Sequence, residues 1–360
     1  MDIKIARDII DSMSDADRHI SITAALDKSR YIVHPISEKD VISLKTLDGK
    51  GMNLEGGILF VDGGNAEIFS SPSLTLQLIR VYAAHYLNNQ RVWGSRTEFY
   101  VMASVCEKDA NLCFDVKFYP AFSGKSLLLE NAGLQFDYHD NRLSQDGMPS
   151  VRKVVDGIRR IAELMWANEC LQHLNGAGAV VLDGILECAF PQENVIMDKL
   201  SAECSKKGIY LCALAKTSRL LSEDGHTLVD QLFQFMGNDK FRENVTAIYA
   251  KIASSLSASH PSDIYFTKLH RLSEYIFRLE LHKQHSNYVE PVLNCLAANS
   301  RDMTFPGYPF GLIDADRFAR IANYEAEYHR TIFSARAGKK WKNLSSGIRA
   351  VNAHSVLDSI

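Results

Sequence analysis

The chain has 360 residues, 46% of them hydrophobic and 23% charged, with a formal net charge of -3. That length permits one large core or two smaller ones, the composition excludes a disordered or low-complexity protein, and near neutrality places no whole-chain demand for a polyanion or a membrane. Seven scattered cysteines without C-x-x-C spacing exclude a zinc ribbon and a disulfide framework, and read as thiols of a reducing compartment.

From the N-terminus, Ile3, Ile5, Ile9, Ile10 and Met13 fall at helical spacing, and a second short helical stretch is expected before residue 29. No signal-type apolar block follows Met1 and no run reaches membrane-spanning length, so the chain reads as cytoplasmic, without a membrane partner. Residues 31–47 are rich in β-formers, and Asp48-Gly49-Lys50-Gly51 marks a turn. Residues 1–56 read as an extension to a main body spanning 57–360.

The apolar run Gly57-Ile58-Leu59-Phe60-Val61 ends in Asp62-Gly63-Gly64, which predicts a buried strand, a turn at Gly63-Gly64-Asn65 and a returning partner at 66–69. Ser71-Pro72-Ser73 predicts a helix start, with Leu74, Leu78, Val81, Tyr82 and Tyr86 as the apolar face. A hairpin is predicted from 98–106 and 112–119, and a loop-rich passage over 120–150. A helix over 150–173 leads into Ala179-Val180-Val181-Leu182, a second apolar run, which again ends in Asp183-Gly184. Helix 194–206 and strand 209–215 continue a β-α-β rhythm, the mark of a mixed or parallel sheet. Residues 221–262 read as a polar, mostly helical insertion. Residues 273–282 alternate, with Tyr275, Phe277, Leu279 and Leu281 opposed to Arg278 and Glu280, as in a half-buried strand. A helix at 289–298, the Gly307-Tyr308-Pro309 turn and a helix from Ala315, capped by Asp314, complete the chain.

Two apolar strands that each end in Asp-Gly place Asp62 and Asp183 at one sheet edge if the strands are neighbours. Paired carboxylates there suit a hard divalent cation, Mn²⁺ or Mg²⁺, which lowers the pKa of water and stabilises charge on a phosphodiester. A third acid is expected from the helix before the second strand: Glu163 first, Glu169 after it, and Glu187 beyond the strand at lower rank. The alternative for Glu163 is pairing with Arg159 or Arg160 at helical spacing. Asp316 is a further metal candidate, or a plain first-turn acid. Lys216-Thr217-Ser218-Arg219 follows an apolar strand, and Lys216 and Arg219 suit phosphate as point charge and planar fork. Tyr308, fixed between Gly307 and Pro309, is placed to stack on a base or orient a phosphate. From Arg317 to His354 basic residues outnumber acidic ones, a stretch suited to extend a DNA track. The histidines show no metal-binding spacing, and P-loop, Rossmann and nucleophile-elbow motifs are absent.

In order along the chain, Val-Asp-Gly-Gly at Asp62, the helix acid, Leu-Asp-Gly-Ile-Leu at Asp183, Ala-Lys-Thr-Ser-Arg at Lys216, Phe277-Arg278-Leu279-Glu280, Gly-Tyr-Pro at Tyr308 and His-x-x-Leu-Asp at His354 resemble the NurA nuclease family. The resemblance runs from about Gly57 to the C-terminus. It implies an α/β protein with a ribonuclease H-like mixed sheet and a manganese- or magnesium-dependent deoxyribonuclease acting at single- or double-stranded DNA ends. It also implies a homodimer docked on a HerA-type hexameric ATPase. Asp62, Asp183 and Glu163 then match metal ligands, and Tyr308 the tyrosine near the site. Two departures stand out: Asp316 occupies the place of the family's usual histidine, and Gly64 that of its usual serine. The first leaves open a catalytically degenerate DNA clamp or motor adaptor. Asp62-Gly63-Gly64 also permits an actin-like ATP-dependent kinase, whose phosphate loop carries Asp-Gly-Gly.

Overall fold

The two Asp-Gly runs are neighbours, and the fold is built outward from them. The computed structural model describes residues 21–45, 54–122, 133–237 and 245–338, with the isolated residues 5, 7, 129, 240 and 241. Ile5 and Arg7 of the expected first helix are helical, and the rest of it, the 48–51 turn, and the C-terminal stretch with Lys339, Lys340, Lys342, Arg349 and His354 lie outside the described residues.

In chain order the strands are β1 (Tyr31–Val33), β2 (Ile42–Lys45), β3 (Gly57–Ser71), β4 (Leu74–Leu87), β5 (Gln90–Lys108), β6 (Asn111–Pro120), β7 (Phe136–Asp137), β8 (Ser144–Gln145), β9 (Met148–Pro149), β10 (Gly178–Asp183), β11 (Ile209–Ala215), β12 (Val245–Ser255), β13 (Ser262–Lys268) and β14 (Phe277–His282). The helices are α1 (Val151–Cys170), α2 (Glu193–Lys207), α3 (Leu228–Phe235), α4 (Val289–Asn299), α5 (Phe310–Ala319) and α6 (Asn323–Ala337).

One large sheet has the order β1-β12-β13-β14-β11-β10-β3-β4-β5-β6-β7, with β2 also on β12. Strand β10 runs parallel to β3 and β11, the β3-β4-β5-β6 segment is an antiparallel meander, and β14 returns antiparallel to β11. A meander followed by parallel strands that cross over through helices on a mixed sheet is a ribonuclease H-like architecture.

Strand alternation sorts the side chains between two cores. Leu59, Val61, Val180 and Leu182 pack with α1 residues such as Val154, Ile158 and Ile161 on one face. Ile58, Phe60, Ala179, Val181, Cys212 and Leu214 pack with Leu296 of α4 and with Leu312, Ala315 and Ala319 of α5 on the other. Each such fully buried aliphatic side chain contributes about 1.5–3 kcal/mol. Ser150 caps α1, its side chain accepting from the Lys153 N–H, and Gly208 closes α2 in a left-handed conformation at φ 65°.

Several expectations are corrected. Gly63, Gly64 and Asn65 form no turn: β3 continues to Ser71, with Gly63 and Gly64 paired to Val81 and Arg80, so no phosphate loop of the kinase type exists there. The turn is Pro72-Ser73, between the paired Ser71 and Leu74, and the expected helix after it is strand β4. Nearly all of β4 is buried, and a strand covered on both faces shows a continuous apolar run in which helical spacing arises by chance. Among the described residues of 221–262, expected as a helical insertion, only Leu228–Phe235 is α-helical, and Val245–Ser255 is a sheet strand that pairs with β13 and also with β1 and β2. Of the short helical stretch expected before residue 29, the described part from residue 21 is not helical, and Ile22 bridges Ile36. Strand β14 is buried along its length, Arg278 and Glu280 included. The last expected helix begins at Phe310, so Asp314 and Asp316 lie inside α5, and the side chain of Asn299 accepts from the Gly311 N–H in its first turn.

Candidate metal centre

Asp62, Asp183 and Asp316 converge, each offering one carboxylate oxygen within 4.8 Å of the others. The register explains the first two. Leu182 pairs with Val61 across the parallel β10–β3 ladder, so Asp183 and Asp62 are the next positions along, on the face that carries Phe60 and Val181. Lys216, two residues past Leu214, falls on that face as well.

Helix α5 supplies the third carboxylate because two glycines let it lie directly on the sheet. A Cβ at Gly311 would sit 2.0 Å from the Phe60 ring, and one at Gly64 would sit 2.5 Å from the Ala319 carbonyl oxygen. A serine at Gly64, as the family resemblance expects, therefore does not fit beneath this helix. Asp314, two residues before Asp316, is not a cap: it accepts from the Tyr86 hydroxyl at 2.9 Å and from Arg91 at 2.8 Å, and so anchors α5 to the sheet.

The Lys216 ammonium donates to Asp183 and to Asp316, both at 2.8 Å. Burial disfavours its charge, but the two carboxylates outweigh burial and hold its pKa above the ordinary lysine value. Tyr308 donates to Asp183 at 3.4 Å, and burial with the nearby charges of Asp183 and Asp62 raises its hydroxyl pKa. Its side chain is only 2% exposed, so its ring is not available to stack on a base.

Asp62 has the least favourable surroundings. Burial pushes its carboxyl up to about 8, Asp183 and Glu163 add to the shift, and Lys216 with the Gly63 N–H opposes it. The cluster opens in one direction, from Asp62 at 8% exposure to the Asp316 side chain at 49%, which leaves room for water and a ligand. Three hard oxygen donors of incompletely neutralised charge, open on one side, fit a small divalent cation.

Glu163 does not join this trio. It projects from α1, on the far face, and reaches the strand where Gly63 has no side chain: a Cβ there would lie 2.6 Å from its Oε1. Arg159 and Arg160 both pair with it, and Arg159 also donates to the Gly63 carbonyl at 2.9 Å. Burial raises the Glu163 pKa in spite of both arginines. The pairing at helical spacing is thus present, and Glu163 acts on Asp62 through space. Arg219 is exposed and outside the cluster, and Glu187 pairs with Arg30 at 2.8 Å.

A second buried network, not expected from the sequence, holds the loop after Asp183. Glu280 accepts from the Leu186 N–H at 2.7 Å, contacts the His260 Nε2 at 2.7 Å and pairs with Arg278 at 2.5 Å, while the Tyr31 hydroxyl meets the His260 Nδ1 at 2.6 Å. Burial works against the Glu280 charge, but His260 and Arg278 hold its pKa below the usual range. The sequence signal was Arg278 and Glu280 in alternation with apolar residues, which marks a shared face without saying what covers it.

A ribonuclease H-like sheet with an acidic cluster at the adjoining ends of parallel strands defines the class of this protein. No family model and no curated protein sequence matches it. Among solved structures, the chain is similar to the NurA nuclease from Sulfolobus solfataricus, at 11% identity and a TM-score of 0.48, over 94% of this chain and 98% of that one. It is also similar to Ciona intestinalis endonuclease V in complex with an inosine-containing DNA, at 13% identity and a TM-score of 0.37, over 89% and 97%. The catalytic domain of human endonuclease V is similar at 10% identity and a TM-score of 0.36, over 82% and 93%. Among the described residues, no helix is long and apolar enough to cross a membrane.

Proposed function

We propose that the protein is a divalent-metal-dependent deoxyribonuclease that hydrolyses phosphodiesters at DNA ends. The observation that carries this reading is the convergence of Asp62, Asp183 and Asp316 beside Lys216. The order of motifs along the chain supports a nuclease over other metal hydrolases.

Asp62, Asp183 and Asp316 would hold Mn²⁺ or Mg²⁺, which when bound supplies a Lewis acid and an acidified water. Asp62 must give up its proton to bind it. The Tyr308 hydroxyl orients Asp183, and Glu163, fixed by its two arginines on the far side of Gly63, disfavours charge on Asp62 in the absence of a cation. Lys216, released from the carboxylates once their charge is met, is free to turn to the scissile phosphate as a point charge, and exposed Arg219 lies further along the same loop. In this reading the protein works as a homodimer beside a HerA-type hexameric translocase in DNA end processing, partners that the family resemblance suggests.

The alternative is a DNA-binding adaptor without catalysis. It is favoured by the Lys216 ammonium, which already bridges Asp183 and Asp316 as a built-in cation. Incubation of end-labelled single- and double-stranded DNA with the purified protein and Mn²⁺ or Mg²⁺ separates the two. Cleavage lost in Asp183→Asn supports the nuclease, and intact substrates with both ions, with and without the translocase, overturn it.

A further inference from the structure

Tyr308 is buried, but its ring begins an aromatic series that runs out to solvent. It packs edge-on against Phe305 with centroids 5.9 Å apart, and Phe305 stacks on Tyr275 at 5.3 Å and an interplanar angle of 21°. Tyr275 is 51% exposed and Phe305 37%. The two belong to different loops, 270–276 and 300–309, that are locked together. Gly307, at φ 96°, lies so close to Ser273 that a Cβ there would fall 2.5 Å from its side chain. The Ser273 hydroxyl donates to the Tyr275 carbonyl at 3.0 Å and accepts from the Tyr275 N–H at 3.1 Å. The Gly307 N–H donates to the Ser300 carbonyl at 2.9 Å. The exposed rings are therefore held in place before any ligand arrives.

Positive charge lies on the same two loops. Arg271 and Arg301 are exposed and line one cavity of about 210 Å³ with His270, whose pKa is pushed down by burial and by both arginines. A stacked pair of exposed aromatic rings, on two loops that each also carry an exposed arginine, and continuous through Tyr308 with Asp183, matches the chemistry of unpaired nucleotides, whose bases offer flat faces and whose phosphates are anionic. Paired bases inside a duplex present no free face to such a surface.

We propose that Tyr275 and Phe305 form a stacking platform for the unpaired bases of a single DNA strand beside the acidic cluster, with Arg271 and Arg301 on its phosphates. This assigns the substrate strand of the proposed nuclease and rests on that reading for its location, but binding tests it separately. In EDTA, which prevents cleavage, a labelled oligothymidylate is titrated by fluorescence anisotropy beside a blunt duplex and an abasic strand of equal length.

Tyr275→Ala and Phe305→Ala are each expected to weaken oligothymidylate binding about tenfold, with Tyr275→Phe close to the parent and the duplex little affected. The unaltered protein is expected to bind the abasic strand about tenfold more weakly than oligothymidylate, which tests stacking without any variant. Equal affinity for abasic and thymidylate strands overturns the platform, as does a loss in the alanine variants that is the same for duplex. If the protein cuts no DNA yet shows the aromatic dependence, the nuclease reading fails and the platform stands. If it cuts and the alanine variants bind like the parent, the reverse holds.

Discussion

Asp62 and Glu280 are both buried carboxylates of one sheet, and their surroundings drive them in opposite directions. Glu280 is met by Arg278, His260 and the Leu186 N–H, and its pKa falls in spite of complete burial. Asp62 has one backbone N–H in contact and the carboxylates of Asp183, Glu163 and Asp316 near it, and burial with Asp183 and Glu163 raises its pKa to about 8. A buried charge is tolerated when its partners are built in, and a site that leaves the partner out is poised for something from outside. The first arrangement holds the fold together, whereas the second prepares it to bind.

The sharpest way to break this contrast is to neutralise each acid in turn. Asp62→Asn and Asp183→Asn are expected to lower Mn²⁺-dependent DNA cleavage by about a thousandfold or more, read as initial rates on end-labelled DNA. Asp62→Asn should leave stability in urea unchanged or higher, because it relieves repulsion. Glu280→Gln should instead cost about 3–5 kcal/mol in urea unfolding, because it leaves Arg278 buried without its counter-charge. A destabilised Asp62→Asn beside an unaffected Glu280→Gln would invert the comparison.

Acid sharpens it further through a group buried neutral. Burial, with the neighbouring His285, lowers the His282 pKa from 6.5 to about 4. Between those values the unfolded chain binds the proton at His282 and the folded one does not, so this group's contribution falls with pH from about 6.5 to about 4, while the Asp62 carboxyl, held at about 8, works the other way. In an Asp62→Asn background, which removes the opposing effect, the full loss is about 3 kcal/mol, and its absence in a pH series of urea melts would contradict a buried, neutral imidazole. The smallest effect belongs to the glycines. Gly63→Ala presses on Glu163 and Gly64→Ala on the Ala319 carbonyl, so each should cost about 1–3 kcal/mol. Only Gly64→Ala should also weaken Mn²⁺ binding by titration calorimetry, since it displaces the helix that carries Asp316.

The metal-centre residues were more legible than the sheet around them. A glycine-bounded apolar run ending in Asp-Gly, twice, identifies two strands buried on both faces with an acid at the end of each, because a short continuous apolar run leaves no face for solvent. The same property hid β4, whose two buried faces erased the alternation that separates strand from helix. Strand β12 pairs with the adjoining β13 and also with β1 and β2 from far earlier in the chain, and those distant pairings leave no local pattern. Tyr275 and Phe305, 30 residues apart, carry no shared sequence signal.

By itself the sequence placed Asp62, Asp183 and Lys216 each at the end of an apolar strand, since a short apolar run bounded by glycine or a polar residue reads as a buried strand; that the three share one face follows from the parallel register of β3, β10 and β11. Only the tertiary structure decided which third acid joins them. Glu163 and Asp316 come from helices on opposite faces, and local pattern does not encode which helix a glycine admits to close contact. Gly63 and Gly64 settle it by shape, admitting Glu163 with its arginines from one side and α5 with Asp316 from the other.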